Sequence, residues 1–437
     1  MMDHCIACGH SLGERPLMTL DNMPASAQNI PDASQVAEDE GIILSLFQCP
    51  ACGLVQFNCQ PVDYYRDVIR AGGFTTTMVE LRRRQYRHLI EAYGLEGKKF
   101  IEAGCGRGEF LSVLAEFPVE AHGIEHRADL VELAVKSGLD VTQGFPETED
   151  TRFPDGPYDA FLSFNFLEHQ PRPGVMLRCI ANNLKEGGMG LITVPSLEYI
   201  LQYDGYYELI RDHIAYYTFG TLRALLEENG FEVLEEEMVN RDTLSVIVRK
   251  CPRDAAGRPQ SSAVPASSQS GTASGATACQ LQPSGHVSPA AVSRRRPEDA
   301  AARPSVSQSA APVDVSGLMA SRYSIDREVN SLVDRLHERG KKLAIWGASH
   351  QGFTLAATTR LGDKVSYIID SAPFKQGRFA PTSHLPIVAP DDFHQEPVDA
   401  ILIVAPGYTE EIASMIREKF GETVEILALK SNRLETL

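Results

Sequence analysis

Glu102, Gly104, Gly106, Gly108 and Glu125 have the types and spacing to hold a nucleoside-like ligand. The run Phe100 to Leu111 reads as a buried strand passing through a glycine turn into a helix, and glycines at alternate positions admit positive φ and bring bare backbone against a ligand. The dinucleotide fingerprint needs glycine at its first, third and sixth positions, and the sixth position counted from Gly104 is Glu109. Glu102 would also repel a pyrophosphate, so nicotinamide binding is disfavoured. Glu125 closes a short strand, Ala121 to Ile124, where an acid accepts hydrogen bonds from ribose hydroxyls.

A second group of residues could bind metal. Cys5 and Cys8, then Cys49 and Cys52, form two Cys-x-x-Cys-Gly knuckles in which the glycine permits the tight turn. Four thiolates make a closed tetrahedral zinc site with no position for water, which is structural rather than catalytic. His10 and Cys59 lie nearby without the knuckle context. A DNA-reading zinc finger is disfavoured, because the His pair and a basic recognition helix are missing. Four unrelated free thiols remain the plain alternative, opposed by the repeat of both spacing and glycine placement.

The elements that would position these groups follow in order. A helix over Leu81 to Tyr93 precedes the glycine strand, and Phe74 to Met78 ahead of it are either pocket residues or a polar hinge with a helix cap. After the turn come a helix over Leu111 to Phe117, the strand ending at Glu125, and a strand from Tyr158 to Asn165 followed by Leu167-Glu168-His169. Leu184 to Gly188 and then Met189 to Pro195 resemble the helix, Gly-Gly turn and following strand of class I methyltransferases. From about residue 251 the chain turns to Ser, Ala, Pro, Gly and Gln with no sustained period, as a disordered linker would. Order is expected again near Tyr323, with a helix through Leu336 and then the strand, glycine turn and helix of Lys342 to Gly352. No P-loop lysine is present, so ATP hydrolysis is not implied. Strands at Val365 to Ile369 and Ala400 to Pro406 complete a smaller parallel α/β unit.

A chain of 437 residues can bury more than one core. Its net charge of −17 argues against nucleic acid or an anionic membrane and for a small-molecule substrate. The absence of a long apolar run or a signal-like start predicts a cytoplasmic location.

The alternating-glycine turn with Glu102 resembles the S-adenosylmethionine loop of class I methyltransferases, whose ligand carries an ammonium and a sulfonium that a carboxylate favours. Each piece alone reads as an ordinary βα unit, but four in the family's order make chance a weak explanation. With the four-Cys lobe, and with Trp346-Gly347-Ala348, Asp370 and Lys375-Gln376-Gly377-Arg378 near the end, the whole resembles the sugar C-methyltransferase family. The resemblance implies an α/β architecture: a zinc lobe over 1–62, a Rossmann-like methyltransferase domain over 63–250, a linker over 251–316 and a smaller Rossmann-like domain over 317–437. It implies S-adenosylmethionine as cofactor, held by Glu102, Gly104, Gly106, Gly108, Glu125, Asn165, Glu168 and His169. It also implies a nucleotide-linked keto sugar as substrate, methylated at carbon through an enolate.

Asp212-His213 with Tyr216 three residues on resembles the family's acid–His–x–x–Tyr/Phe stretch, where the His is the base, and imidazole suits that work near neutral pH. The plain reading is a capped or salt-bridged His. The tyrosine found in some members three residues before the His is here Ile210, and Tyr206, Tyr207, Tyr216 or Tyr217 are candidates to replace its contact. Tyr216, Tyr217, His350, Lys375 and Arg378 are candidate substrate contacts, the last two as diphosphate donors or as loop residues held by Asp370. His169 is also a candidate base, with a packing role at the cofactor preferred. Methyl transfer to oxygen or nitrogen, and a noncatalytic cofactor sensor, are the competing functions.

Overall fold

The apolar run ahead of the glycine turn, Lys99–Ala103, is a strand of the central sheet, and its position there determines where a ligand can sit. The computed structural model describes residues 1–67, 74–252, 293–294, 311–405, 407–430 and 432–437. In chain order the first strands are β1 (Met18–Met23), β2 (Ile42–Gln48), β3 (Val55–Phe57), β4 (Lys99–Ala103), β5 (Glu120–Glu125), β6 (Asp140–Gln143), β7 (Tyr158–Phe164), β8 (Leu184–Pro195) and β9 (Ala215–Tyr216). They continue with β10 (Phe231–Val239), β11 (Thr243–Lys250) and β12 (Ser293–Arg294).

The central sheet has the order β12-β10-β11-β8-β7-β4-β5-β6. Strands β6, β5, β4, β7 and β8 run parallel, while β11 is antiparallel to β8 and β10 to β11. With β5 on one side of β4 and β7 on the other, the strand order reverses there, and a crevice opens at the carboxyl ends of these strands. All five residues of β4 but the first are buried, as expected of a strand covered on both faces.

The expected helix at Leu184 is not formed. Residues Leu184 to Gly188 belong to β8, with Gly187 at φ 73, and the preceding helix is Pro173–Asn182. Gly187 and Gly188 make an irregularity within a strand rather than a helix-to-strand turn, since β7 pairs with Leu184 and again from Met189 onward.

The second parallel unit contains β13 (Leu343–Trp346), β14 (Ile368–Ile369), β15 (Ile387–Val388), β16 (Ala400–Ile403), β17 (Glu425–Lys430) and β18 (Arg433–Thr436). Its order is β15-β14-β13-β16-β17-β18, parallel except at β18, so its own reversal point lies at β13. The helix ahead of it spans Ser316–Glu338, seven residues earlier than Tyr323, because Leu318 and Ser321 already turn inward. The segment read as a disordered linker, 251–316, lies outside the described residues except for 251–252, 293–294 and 311–316. Within its described part, β12 adds two residues to the sheet edge, and Val313 N donates to Gln48 Oε1.

The N-terminal lobe builds a four-stranded sheet, β1-β2-β3-β9. Its last strand comes from the middle of the chain, with Val55 opposite Tyr216 and Gln56 opposite Ala215. One apolar cluster joins Leu44, Leu46 and Phe57 of that lobe to Leu197, Ile200 and Tyr206 of the centre and to Ile325, Val329 and Phe353 of the C-terminal unit. Polar ties reinforce it: Asn22 Nδ2 donates to the Ala357 carbonyl at 2.6 Å, and Phe379 N to the Pro31 carbonyl at 2.9 Å. No helix of the described residues is long and apolar enough to cross a membrane.

Phe57 is fully buried in the cluster common to all three lobes and meets Tyr216 edge-on at 5.7 Å between centroids. Phe57→Ala is expected to cost about 3–5 kcal/mol, read from the midpoint shift in a urea titration.

Candidate active site

The glycine turn takes the conformation that its sequence requires. Gly104, Gly106 and Gly108 have φ of 74, 61 and 84 degrees, all in the left-handed region. Gly104 N and Cys105 N both donate to the Ile124 carbonyl, which lays the turn across the end of β5. Glu125, 1% exposed, accepts from Gly106 N at 3.0 Å through one oxygen and from Arg127 N at 2.9 Å through the other. At Gly108 the missing Cβ makes room for protein rather than ligand, since a Cβ there would lie 2.2 Å from Leu139 Cδ1. Glu102 is also buried, opposite Gly123 of β5 and Leu162 of β7.

The end of β7 supplies the next wall. Asn165 has φ 47, its Oδ1 accepts from Thr193 Oγ1 at 3.1 Å, and its amide donates to the Thr193 carbonyl. Beside it is a residue that the sequence did not flag: Arg82, 1% exposed, places its guanidinium 3.8 Å from the Phe164 ring centroid and 4.9 Å from that of Phe110. Of the segment Phe74 to Met78, Thr75 acts as the cap of helix Thr76–Tyr93, its hydroxyl accepting from Met78 N, while Phe74 is half-exposed and leans on Phe110.

The chain then enters a short turn, Leu167–His169, whose side chains face the segment carrying His213. His169 Nδ1 lies 2.7 Å from the Asp212 carbonyl, and Ile214 N donates to the Glu168 carbonyl at 2.9 Å. The His169 and His213 rings meet at 4.9 Å between centroids, and His350 comes to 6.3 Å from His213 on the other side. Neither oxygen of buried Glu168 and not the buried Nδ1 of His213 has a hydrogen-bond partner among the described residues. Burial pushes the Glu168 carboxyl up to about 8, and burial, helped by the neighbouring His169 and His350, holds His213 well below the ordinary imidazole range.

Asp212 does not use its carboxylate on the His213 ring. One oxygen accepts from Tyr64 Oη at 2.6 Å and the other from Ala27 N at 3.0 Å, so the acid joins its own segment to the N-terminal lobe. The Tyr216 hydroxyl is likewise committed, donating to the Ile210 carbonyl and accepting from Ile210 N, within a fully packed site. Tyr217 is buried, and its hydroxyl has no partner among the described residues. His350 Nε2 lies 3.3 Å from Glu208 Oε2, while Gln351 Nε2 donates to Glu208 Oε1 at 2.6 Å; neither Glu208 nor Gln351 was legible as a site residue. Lys375 Nζ donates to the Ala348 carbonyl and to Asp370, and Arg378 Nη1 to the Ile30 carbonyl, so both cations are partly spent on holding loops. Ser26, Ala27, Ile210, Asp212, His350 and Phe353, from all three lobes, line a narrow crevice at this junction.

The four knuckle cysteines converge. Cys5 and Cys52 Sγ are 3.5 Å apart, as are Cys8 and Cys49 Sγ, and the four sulfurs lie within 4.8 Å of one another. The two knuckles repeat each other: Gly9 N donates to the Cys5 carbonyl and Gly53 N to the Cys49 carbonyl, with φ of 73 and 79 degrees. Neither His10 nor Cys59 joins the cluster.

A family model described as a methyltransferase domain matches residues 78–236, which carry the glycine turn, Glu168 and His213. With the strand order of the central sheet, this defines the chain as an S-adenosylmethionine-dependent methyltransferase. A second model, a C-methyltransferase C-terminal domain, matches residues 318–427. The C-methyltransferase NovU of Streptomyces niveus is 21% identical over 436 residues, covering 95% of this chain and 93% of that protein. The two family models and this full-length similarity together support a C-methyltransferase family. A fatty-acid O-methyltransferase of Mycolicibacterium smegmatis is 33% identical over 105 residues, which is 23% of this chain and 38% of that protein. Among solved structures, the PH0226 protein of Pyrococcus horikoshii OT3 aligns with a TM-score of 0.35 at 15% identity, over 43% of this chain and 98% of that one.

Because buried Asp212 depends on the Tyr64 hydroxyl, Tyr64→Phe should cost about 1–3 kcal/mol of unfolding free energy. A denaturant midpoint unchanged from wild type would show that the tie carries no weight.

Proposed function

We propose that the protein methylates a carbon beside the carbonyl of a nucleotide-linked keto-deoxysugar, with His213 as the base. The observation that carries this reading is the placement of His213, whose imidazole is kept neutral by burial. It sits where the carboxyl-terminal end of β7, through Glu168 and His169, meets that of β13, through His350. A neutral imidazole can take a proton from carbon at ordinary pH, and the carbanion left behind attacks a methyl group in line. S-adenosylmethionine, when bound, supplies that methyl group as an electrophile. The residues placed to hold it are Gly104, Gly106, Glu102, Asn165 and Glu125, whose carboxylate is aimed by two backbone amides.

The sugar is assigned to the junction of the lobes, where His350 lines a crevice and its ring lies 6.3 Å from that of His213. Lys375 has three donors and Arg378 five, so each keeps donors for diphosphate oxygens after its loop contacts. Tyr216 and Asp212 act as positioning residues: one fixes the backbone at Ile210 and the other ties the base segment to the N-terminal lobe. The four-Cys cluster suits zinc. Tetrahedral Zn–S bonds of about 2.3 Å place sulfurs about 3.8 Å apart, close to the spacing seen. The domain limits 1–62, 63–250 and 317–437 are proposed as units of chain organisation.

Incubation with labelled methyl donor and a panel of nucleotide keto sugars, followed by mass mapping, should place the label on carbon. His213→Asn should lower kcat by about 10²–10⁴ while leaving the Kd for the cofactor unchanged. Label on oxygen or nitrogen, or full activity in the variant, would remove the carbanion reading. Stripping metal with a strong chelator should unfold the N-terminal lobe, with a loss of roughly 10 kcal/mol, followed by circular dichroism and restored by zinc.

A further inference from the structure

Glu168, His169 and His213 each offer one ligand atom, and these atoms lie within 4.8 Å of one another. We infer that they form a second metal site, separate from the four cysteines, for a divalent first-row transition ion, and that filling it silences the enzyme by occupying His213. The silencing half of this inference rests on the reading of His213 as base.

Three features of the site point to a cation. The Asp212 carbonyl can only accept, so the Nδ1 that it faces at 2.7 Å carries the proton, and the lone pair of His169 stands on Nε2. That Nε2 lies 3.9 Å from Glu168 Oε1. An imidazole oriented by a backbone carbonyl on its far nitrogen is the outer-shell arrangement that metal-bound histidines adopt. Both oxygens of Glu168 and the Nδ1 of His213 are buried with no hydrogen-bond partner among the described residues. Buried polar atoms are normally paired, and one ion would satisfy all three side chains together.

The donor set names the class of ion. Two imidazoles and one carboxylate suit zinc, cobalt, nickel or ferrous iron, whereas magnesium and calcium prefer oxygen ligands. Bonds of about 2.0–2.2 Å hold such ligands about 3–3.5 Å apart, so the trio has only about 1 Å to close. Three protein ligands leave coordination positions open, unlike the closed four-sulfur set. A neutral imidazole has one lone pair, so an ion that takes it from His213 leaves none to accept a proton from carbon.

The full chain with zinc in the cysteine site is titrated with cobalt(II), with binding followed by equilibrium dialysis and visible absorption and methyl transfer measured in parallel. Wild type should bind one further equivalent, without the intense sulfur-to-cobalt bands of a thiolate site, and turnover should fall at least about 10-fold as it fills. A mild chelator that leaves the cysteine site loaded should restore turnover. Glu168→Gln and His169→Asn, checked for folding by thermal unfolding, should each lose the further equivalent. Wild type that takes up no further cobalt would overturn the site and leave His213 standing as base. Binding of the further equivalent with turnover undiminished would overturn the silencing, and with it the assignment of His213.

Discussion

The segment from Ile210 to Tyr217 is the constraint on which the site depends, because the N-terminal lobe and the central domain both hold it and it carries His213. Arg211 and Asp212 fasten it to Ala25, Tyr64 and Ala27 of the N-terminal lobe. The Asp212 carbonyl and Ile214 amide fasten it to His169 and Glu168, and the Ala215–Tyr216 strand extends the N-terminal sheet. A histidine ring on a free loop would sample many rotamers. Here its backbone is stitched on both flanks, so the ring position costs little further entropy when a ligand arrives.

The same stitching ties the N-terminal lobe to the candidate site. A lobe of this size has little apolar core of its own, and its strands β1, β2 and β3 close around residues from the other two units. If metal organises the knuckles, it also fixes Gln56, whose Oε1 accepts from Ile6 N next to Cys5. Gln56 in turn pairs with Ala215, two residues from His213. Strain or loss at the cysteines would therefore reach His213 through two hydrogen-bonded strands rather than through solvent.

Local signals were legible and distant partnerships were not. The glycine turn, the knuckles and the two parallel units could be read because glycine spacing, cysteine spacing and apolar runs act over a few residues. Asp212 is legible only as the acid next to His213 in sequence, because its hydroxyl partner Tyr64 lies 148 positions away. Arg82 carried no signal because its aromatic partners, Phe110 and Phe164, come from other elements. The stretch Leu184–Gly188 was misread as a helix end because Gly-Gly marks a break without saying whether the break lies between elements or inside a strand. The meeting of His169, His213 and His350 depends on the packing of two sheets, which no periodicity encodes.

The apolar cluster that spans the three lobes has an evolutionary corollary. Since side-chain packing keeps the C-terminal unit in register, the lobes do not rely on a short chain connection to stay together. Lengthening such a connection twofold costs only about 0.6 kcal/mol in closure entropy. A single polar intruder at Leu46 or Ile325, by contrast, would be purged by selection.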